Sequence, residues 1–407
     1  MQSELVSIII PTRNRSTLLP YAIRSVLGQT YKNIQVIVHD NNSSDETPEV
    51  VKPYLIDHRM EYHRANRDLA MAENWNAAFQ YVKGNYFVRL DDDNVFSSNF
   101  IESALREVTR LDLDIMTFCP LIVHLNKKLF YLFHPEDKTY LLDQFQLFYF
   151  EYFTLTDSNY TLYRRSAIQK MLSDDLIYRG ALADRFMNYS AAHYMNQLGL
   201  KVGINSLVKG VTRFDYRPSF KSDYQLTYTD YAKFSPESIK REMNCHNNFY
   251  AHRIATVMEF FDVYQNEKLQ NFLENAITPA ALRGATAAMG HIYRVKSVYT
   301  LKELFFYMRY LIFITWHLLM HPFSRMEGKC IWVSLAVLWR KAFWCFGRSF
   351  VNLVTCAERQ ATNVVEPLFG EQVIKEVLGG RKINSYKAAS IHGSLMQLLK
   401  KISVAYD

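Results

Sequence analysis

Apolar and polar positions follow two rhythms along the first two hundred residues. Leu5–Ile10 is a continuous apolar, β-branched run. That is the pattern of a strand buried on both faces, as in a parallel sheet. Pro11 ends it. From Ser16 the spacing changes, and Leu18, Leu19, Ala22, Ile23, Val26 and Leu27 recur at helical intervals. This predicts a helix over 16–27 with Ser16 as its N-cap. Ile34–Val38 reads as a second strand, Asp40–Ser44 as a polar loop and Asp45–Tyr54 as the start of a helix. Met60–His63 reads as a short strand. Met71–Val82 is helical in pattern, and Gly84 stops it. Tyr86–Leu90 is a strand that runs straight into Asp91, Asp92 and Asp93.

Further along, Leu113–Phe118 and Lys201–Ile204 read as strands, and Ser166–Leu172 and Asp184–Gln197 as helices. Residues 127–160 are aromatic-rich and ambiguous. Strand and helix alternate, which predicts an α/β fold around a mostly parallel sheet. Ligands of such sheets bind at the carboxyl ends of the strands. The loops Thr12–Asn14, Asp40–Ser44 and Asp91–Asn94 all fall there, so topology alone directs attention to that edge. Beyond about Arg213 the alternation stops, and from Ser235 the chain reads as mainly helical.

Composition narrows the class. With 407 residues, 49% hydrophobic and 21% charged, the chain can bury a sizeable core, and a wholly disordered chain is excluded. Its net charge of +7 suits anionic partners. Lys/Arg-rich runs are absent, which argues against nucleic acid. The five cysteines (Cys119, Cys245, Cys330, Cys345, Cys356) form no CxxC pair. Their odd number argues against a disulfide scaffold and for a reducing compartment. Met1–Glu4 lacks the basic start of a signal peptide. The nearest approach to a spanning helix, Leu304–Met320, carries Arg309 and His317. A cytoplasmic protein is therefore expected.

Three consecutive carboxylates after a buried strand repel one another unless something compensates them. A hard divalent ion, Mn²⁺ or Mg²⁺, is a natural partner, because it takes oxygen ligands and bridges carboxylates to substrate phosphates. The competing reading is a solvated turn that caps the following helix. Asp40–Asp45 has the same two readings: a turn capped by Asp45, or a loop offering carboxylate and amide groups to a base and ribose.

Taken together, VSIIIPTRNR (6–15), SVLGQTYKNIQVIVHDNNSSDET (25–47), NWNAAF followed by Gly84, and VRLDDDN (88–94) resemble the nucleotide-binding half of family 2 glycosyltransferases. The resemblance covers about residues 5–205. It implies the GT-A fold, a Rossmann-like mixed sheet flanked by helices, here followed by a mainly helical C-terminal region. It also implies a nucleoside-diphosphate sugar donor (a UDP, GDP or dTDP sugar), a divalent metal and inversion at the anomeric carbon. Carried over by position, Thr12 and Asn14 line the nucleotide pocket, Asp40 and Asn41 meet base and ribose, and Arg67 approaches the diphosphate. Many members have a second aspartate where Asn41 stands, and this departure leaves the base open. Asn76 matches a recurrent asparagine. The metal ligand falls at Asp93, with Asp91 or Asp92 on ribose or metal-bound water. The family's base stands about ninety residues after its DxD, at a helix start, which points to Asp184 in GALADRFMNY. Asp157 is the reserve. Asp174 and Asp175 read as turn residues.

The resulting division is a GT-A catalytic domain over 1–215, a helical extension or lid over 216–300, and a helical region over 301–407. Arg213, Arg217 and Lys221 read as a lid over the diphosphate, as a holder of an anionic acceptor, or as a surface loop. Trp316, Trp332, Trp339 and Trp344 stand among basic residues in two apolar stretches. That arrangement suits helices lying in a membrane interface; packing within the chain or a homo-oligomer interface is the other reading. The acceptor expected is a glycan or lipid-linked sugar, reached at the inner membrane face. Rival readings are a non-catalytic GT-A-like binding protein and, lower, a nucleotidyltransferase. A P-loop NTPase is excluded, since no GxxxxGK[ST] occurs.

Overall fold

The computed structural model describes residues 4–124, 129–133, 137–152, 158–172, 177–179, 183–214, 260–261, 263–276 and 387–391. Chain order begins β1 (Val6–Thr12), α1 (Leu19–Leu27), β2 (Ile34–Asp40), α2 (Thr47–Val51), a 3-10 turn (Lys52–Ile56), β3 (Met60–Arg64), α3 (Met71–Phe79) and β4 (Tyr86–Arg89). It continues with β5 (Val95–Phe96), α4 (Phe100–Leu111), β6 (Ile115–His124), β7 (Leu129–Phe133), β8 (Thr139–Leu142) and α5 (Gln144–Tyr152). Then come β9 (Thr161–Arg164), α6 (Arg165–Met171), α7 (Ala183–Leu198), β10 (Val202–Phe214), α8 (Glu267–Ala276) and β11 (Lys387–Ile391).

The strands form one sheet in the order β11-β7-β6-β9-β4-β1-β2-β3, with β10 beside β6 and also pairing β5 and β8. β4, β1, β2 and β3 are parallel. β9 runs antiparallel between β4 and β6. The sheet is therefore mixed, the GT-A arrangement, and less parallel than the alternation alone predicts. From β1 the chain builds outward through β2 and β3, then returns to place β4 on the other side of β1. The strand order reverses between β1 and β4, which is where open α/β sheets form their ligand crevice.

The core explains the order. Every residue of β1, β2 and β4 is buried, so these strands carry apolar residues on both faces. Gly84 lets the β4 approach pass close to β1: a Cβ there would lie 2.6 Å from the Leu5 carbonyl oxygen. Gln29, fully buried, ties α1 to the start of α4 by bonding the Ser25 and Ser97 carbonyls and accepting from the Ile101 N–H.

Helix α1 starts at Leu19, three residues later than predicted, and Ser16 is not its cap. The Ser16 N–H instead donates to Asp45 (3.0 Å), and Pro20 occupies the first turn. β10 runs far beyond the predicted Lys201–Ile204, with register shifts between Asn205 and Gly210 that break its pattern. Expectations for Asp157, Asp174, Asp175, Arg217, Lys221 and the Trp-rich stretches lie outside the described residues. So do most of the 216–300 and 301–407 regions. Among the described residues no helix is long and apolar enough to cross a membrane.

Candidate active site

Three loops meet at the carboxyl ends of β1, β2 and β3. Asn14 takes a left-handed backbone (φ 51°), a conformation asparagine tolerates better than most residues. Its N–H donates to Ser43 Oγ (2.9 Å), and its side-chain oxygen accepts from the Ser44 N–H (2.8 Å). Asp40, 0% exposed, accepts from the Ser43 N–H, the Ser43 hydroxyl and the Tyr62 hydroxyl (2.6 Å), with Arg64 at 3.7 Å. This carboxylate faces its own loop. Burial, reinforced by the bond to Asp40, pushes the Tyr62 phenol above its usual range. Asn41 is also turned inward: its amide donates to the Leu69 carbonyl (2.8 Å) and accepts from the Leu69 N–H (2.7 Å). Asp68 receives Arg13 (2.8 Å) and Asn42 (3.1 Å), which hold its carboxyl below the usual value. Arg67 lies on the exposed rim, paired with Glu73.

The aspartate turn follows β4. Asn94 N–H closes it onto the Asp91 carbonyl (3.0 Å). The three carboxylates separate. Asp92 is buried, accepts from Thr12 Oγ1 (2.7 Å) and has Arg15 at 3.8 Å. Burial drives its carboxyl up to about 6, against the pull of Arg15 and Thr12. Thr12 therefore joins the ends of β1 and β4 directly. Asp93 is partly exposed. Asp91 turns the other way and is gripped by Asn159, which takes the Asp91 N–H (2.6 Å) and donates to its carboxylate (2.9 Å).

Between Asp91 and Asp184 lies Arg89, a residue the sequence reading passed over. Its side chain is 2% exposed, pairs with Asp91, donates to Ser158 Oγ (2.8 Å) and reaches Asp184 at 3.8 Å. Ser158 in turn donates to Asp184 (2.9 Å). The Arg89 guanidinium stacks on the Trp75 ring at 3.7 Å, and Trp75 meets Tyr178 edge-on at 5.3 Å. Asn76 fixes the Tyr178 segment, accepting from the Ile177 and Tyr178 N–H groups (3.0 Å each) and donating to the Tyr178 carbonyl (2.8 Å). Asp184 stands in the first turn of α7, where the helix dipole favours a carboxylate. The only advance signal for Arg89 was an arginine inside an otherwise apolar strand, YFVRL. Ser158 and Asn159 gave no signal of their own.

Among the described residues no three His, Cys, Asp or Glu side chains converge into a metal cage. A divalent ion shared with a diphosphate needs only one or two carboxylates and water. Partly exposed Asp93 has the right chemistry for that.

The mixed sheet with flanking helices, and the crevice between β1 and β4, have the GT-A arrangement. Residues 7–172 match the family model "Glycosyl transferase family 2". Over 116 residues it is 31% identical to glycosyltransferase GlyG of Streptococcus pneumoniae serotype 4, covering 28% of this chain and 38% of that protein. Over 104 residues it is 32% identical to the GalNAc(5)-diNAcBac-PP-undecaprenol beta-1,3-glucosyltransferase of Campylobacter jejuni, covering 25% of this chain and 34% of that protein. The chain thus spans little more than a third of these relatives. The crystal structure of S. aureus TarS 1-349 in complex with UDP-GlcNAc aligns with TM-score 0.45 and 14% identity, over 83% of this chain and 91% of that one.

Proposed function

We propose that the protein is an inverting, metal-dependent glycosyltransferase that moves a sugar from a nucleoside-diphosphate sugar to a hydroxyl acceptor on a lipid-linked or surface glycan. One observation carries the reading: Asp184, twelve residues beyond the stretch that matches the family 2 model, and the aspartate turn within that stretch share one buried arginine at the crevice between β1 and β4. That arrangement offers a carboxylate base near the end of a donor site. Asp184 takes the proton of the acceptor hydroxyl as that oxygen attacks the anomeric carbon from the face opposite the leaving group. The bond to the nucleoside diphosphate breaks, and charge gathers on its terminal phosphate. Mn²⁺ or Mg²⁺ held by Asp93 offsets that charge when bound. Thr12, Asn14, Asp40 and Asn41 shape the nucleotide loops, and Arg67 stands on their rim.

The Campylobacter relative, named for an undecaprenol-linked acceptor, supports a lipid-linked acceptor here too. The basic Trp-rich stretches would then bring the enzyme to the cytoplasmic membrane face. The test is thermal unfolding with UDP, GDP, dTDP and CMP, each with and without Mn²⁺. A ligand at a hundred times its dissociation constant stabilises the folded state by about 2.7 kcal/mol. A Mn²⁺-dependent shift with one diphosphate, lost in Asp93→Ala, is expected and names the base. No shift with any of them would favour a non-catalytic binding protein.

A further inference from the structure

We infer that Arg89 is a positioning residue for the base: it sets Asp184 against the aspartate turn and does not itself touch the sugar. The inference rests on the proposed function and goes further, giving the base a fixed mount. Arg89 leaves β4 as the strand ends, one residue before Leu90 and two before Asp91. Its guanidinium meets groups from three separate parts of the chain: Asp91 on the turn, Ser158 ahead of β9, and Asp184 at the start of α7. An arginine fork can hold several oxygens in a plane, which a lysine ammonium cannot.

The mount is rigid on its other face. The guanidinium carbon sits over the Trp75 ring, 3.7 Å from its centre, and Tyr178 meets Trp75 edge-on. Asn76, next to Trp75 on α3, clamps the backbone carrying Tyr178. A charge this buried is tolerable only when paired, and Arg89 faces two carboxylates. Exposure separates the roles. The Arg89 side chain is 2% exposed, whereas Asp184 is 25% and Asp91 36% exposed. The two carboxylates can meet ligand; the arginine stands behind them. Ser158 completes the mount, because it accepts from Arg89 and donates to Asp184, so both partners depend on one hydroxyl.

The test is steady-state release of nucleoside diphosphate from UDP-, GDP- and dTDP-sugars by the full chain, with water standing in for the acceptor hydroxyl and taking the sugar. It compares wild type, Asp184→Asn, Arg89→Lys and Ser158→Ala. Arg89→Lys keeps the charge but not the fork, and is expected to lower kcat about 10- to 100-fold while the donor KM changes less than about threefold. Misplaced catalytic groups cost on that order. Ser158→Ala removes a single hydroxyl from a folded protein and is expected to lower kcat about 3- to 10-fold, again with the donor KM held. A general structural defect would instead move unfolding temperature and KM together. If Asp184→Asn abolishes turnover while Arg89→Lys and Ser158→Ala keep wild-type kcat, the inference falls and the proposed function stands. A rise in donor KM at constant kcat would also overturn it, making Arg89 a donor contact. If Asp184→Asn keeps wild-type kcat, or wild type releases no diphosphate from any donor, the proposed function falls and the inference with it.

Discussion

The loops at the ends of β1, β2 and β3 and the Arg89 centre at the end of β4 are both crowded with polar side chains, yet they are built oppositely. In the loops, side chains bond backbone and one another: Asp40 to Ser43 and Tyr62, Asn41 to Leu69, Asn14 to Ser43 and Ser44. Asp40 has no exposed surface. In the Arg89 centre the cation is the buried member, and the carboxylates around it keep an open side. A carboxylate that faces its own loop gives shape. One that is held from behind and open in front can act on something else. The first region should therefore answer to measurements of stability, and the second to measurements of rate.

The sharpest division comes from Asp184→Asn. The isostere still accepts from Ser158, and the buried Arg89 keeps its pair with Asp91, so little stability is at stake. General-base catalysis is worth roughly 10²- to 10⁴-fold. Turnover is expected to fall by that amount, with the urea midpoint nearly unchanged. A large midpoint shift with modest rate loss would put Asp184 in the same class as Asp40.

Asp40→Asn is expected to behave in reverse. Three donors point at this carboxylate, and an amide turns an N–H towards at least one of them. Breaking a buried, charged cluster from one side costs about 3–5 kcal/mol. Urea unfolding measures it, and a loss below about 1 kcal/mol would mean that the loop does not depend on Asp40.

How much of this contrast was legible follows from which forces leave a local trace. β1, β2 and β4 were visible because complete burial writes an unbroken apolar run. The aspartate turn was visible as a run of like charge. The start of α1 was misread because Ser16 answers to Asp45, twenty-nine residues away, and no local rule sees that. β10 was cut short because its register shifts interrupt the pattern. Arg89, Ser158 and Asn159 are brought together only by the pairing of β9 with β4 and by α7, so their meeting is tertiary. Asp184 was reached through family resemblance and not through any pattern of its own.

Asn41 gives a smaller test of the loop side. This amide both donates to and accepts from Leu69. A carboxylate can keep only the second bond and would face the Leu69 carbonyl with like partial charge. Asn41→Asp is expected to cost about 1–3 kcal/mol, the usual penalty for an unsatisfied buried group. Equal or greater stability would show that the loop repacks freely.

The gentlest test is pH. His39 lies on β2 beneath the same loops, is 4% exposed and donates from Nδ1 to Asn74 (2.7 Å). Burial lowers its pKa from 6.5; nearby His63 adds to the effect, while Asn74 and Asp40 oppose it. The folded protein therefore resists a proton that the unfolded chain accepts. Above about pH 6.5 both states are neutral and this contribution is intact. As pH falls through 6.5 towards the lowered folded value, the unfolded state gains protons first and stability is lost. His193, also lowered by burial, adds to the same window. One such group changes stability by at most about 1.4 kcal/mol per pH unit. In His39→Gln the slope of unfolding free energy between pH 7 and 5 should be shallower than in wild type, though not flat, because His193 remains. Identical slopes would mean that His39 takes its proton as readily folded as unfolded, and that the floor of these loops is wetter than its burial implies.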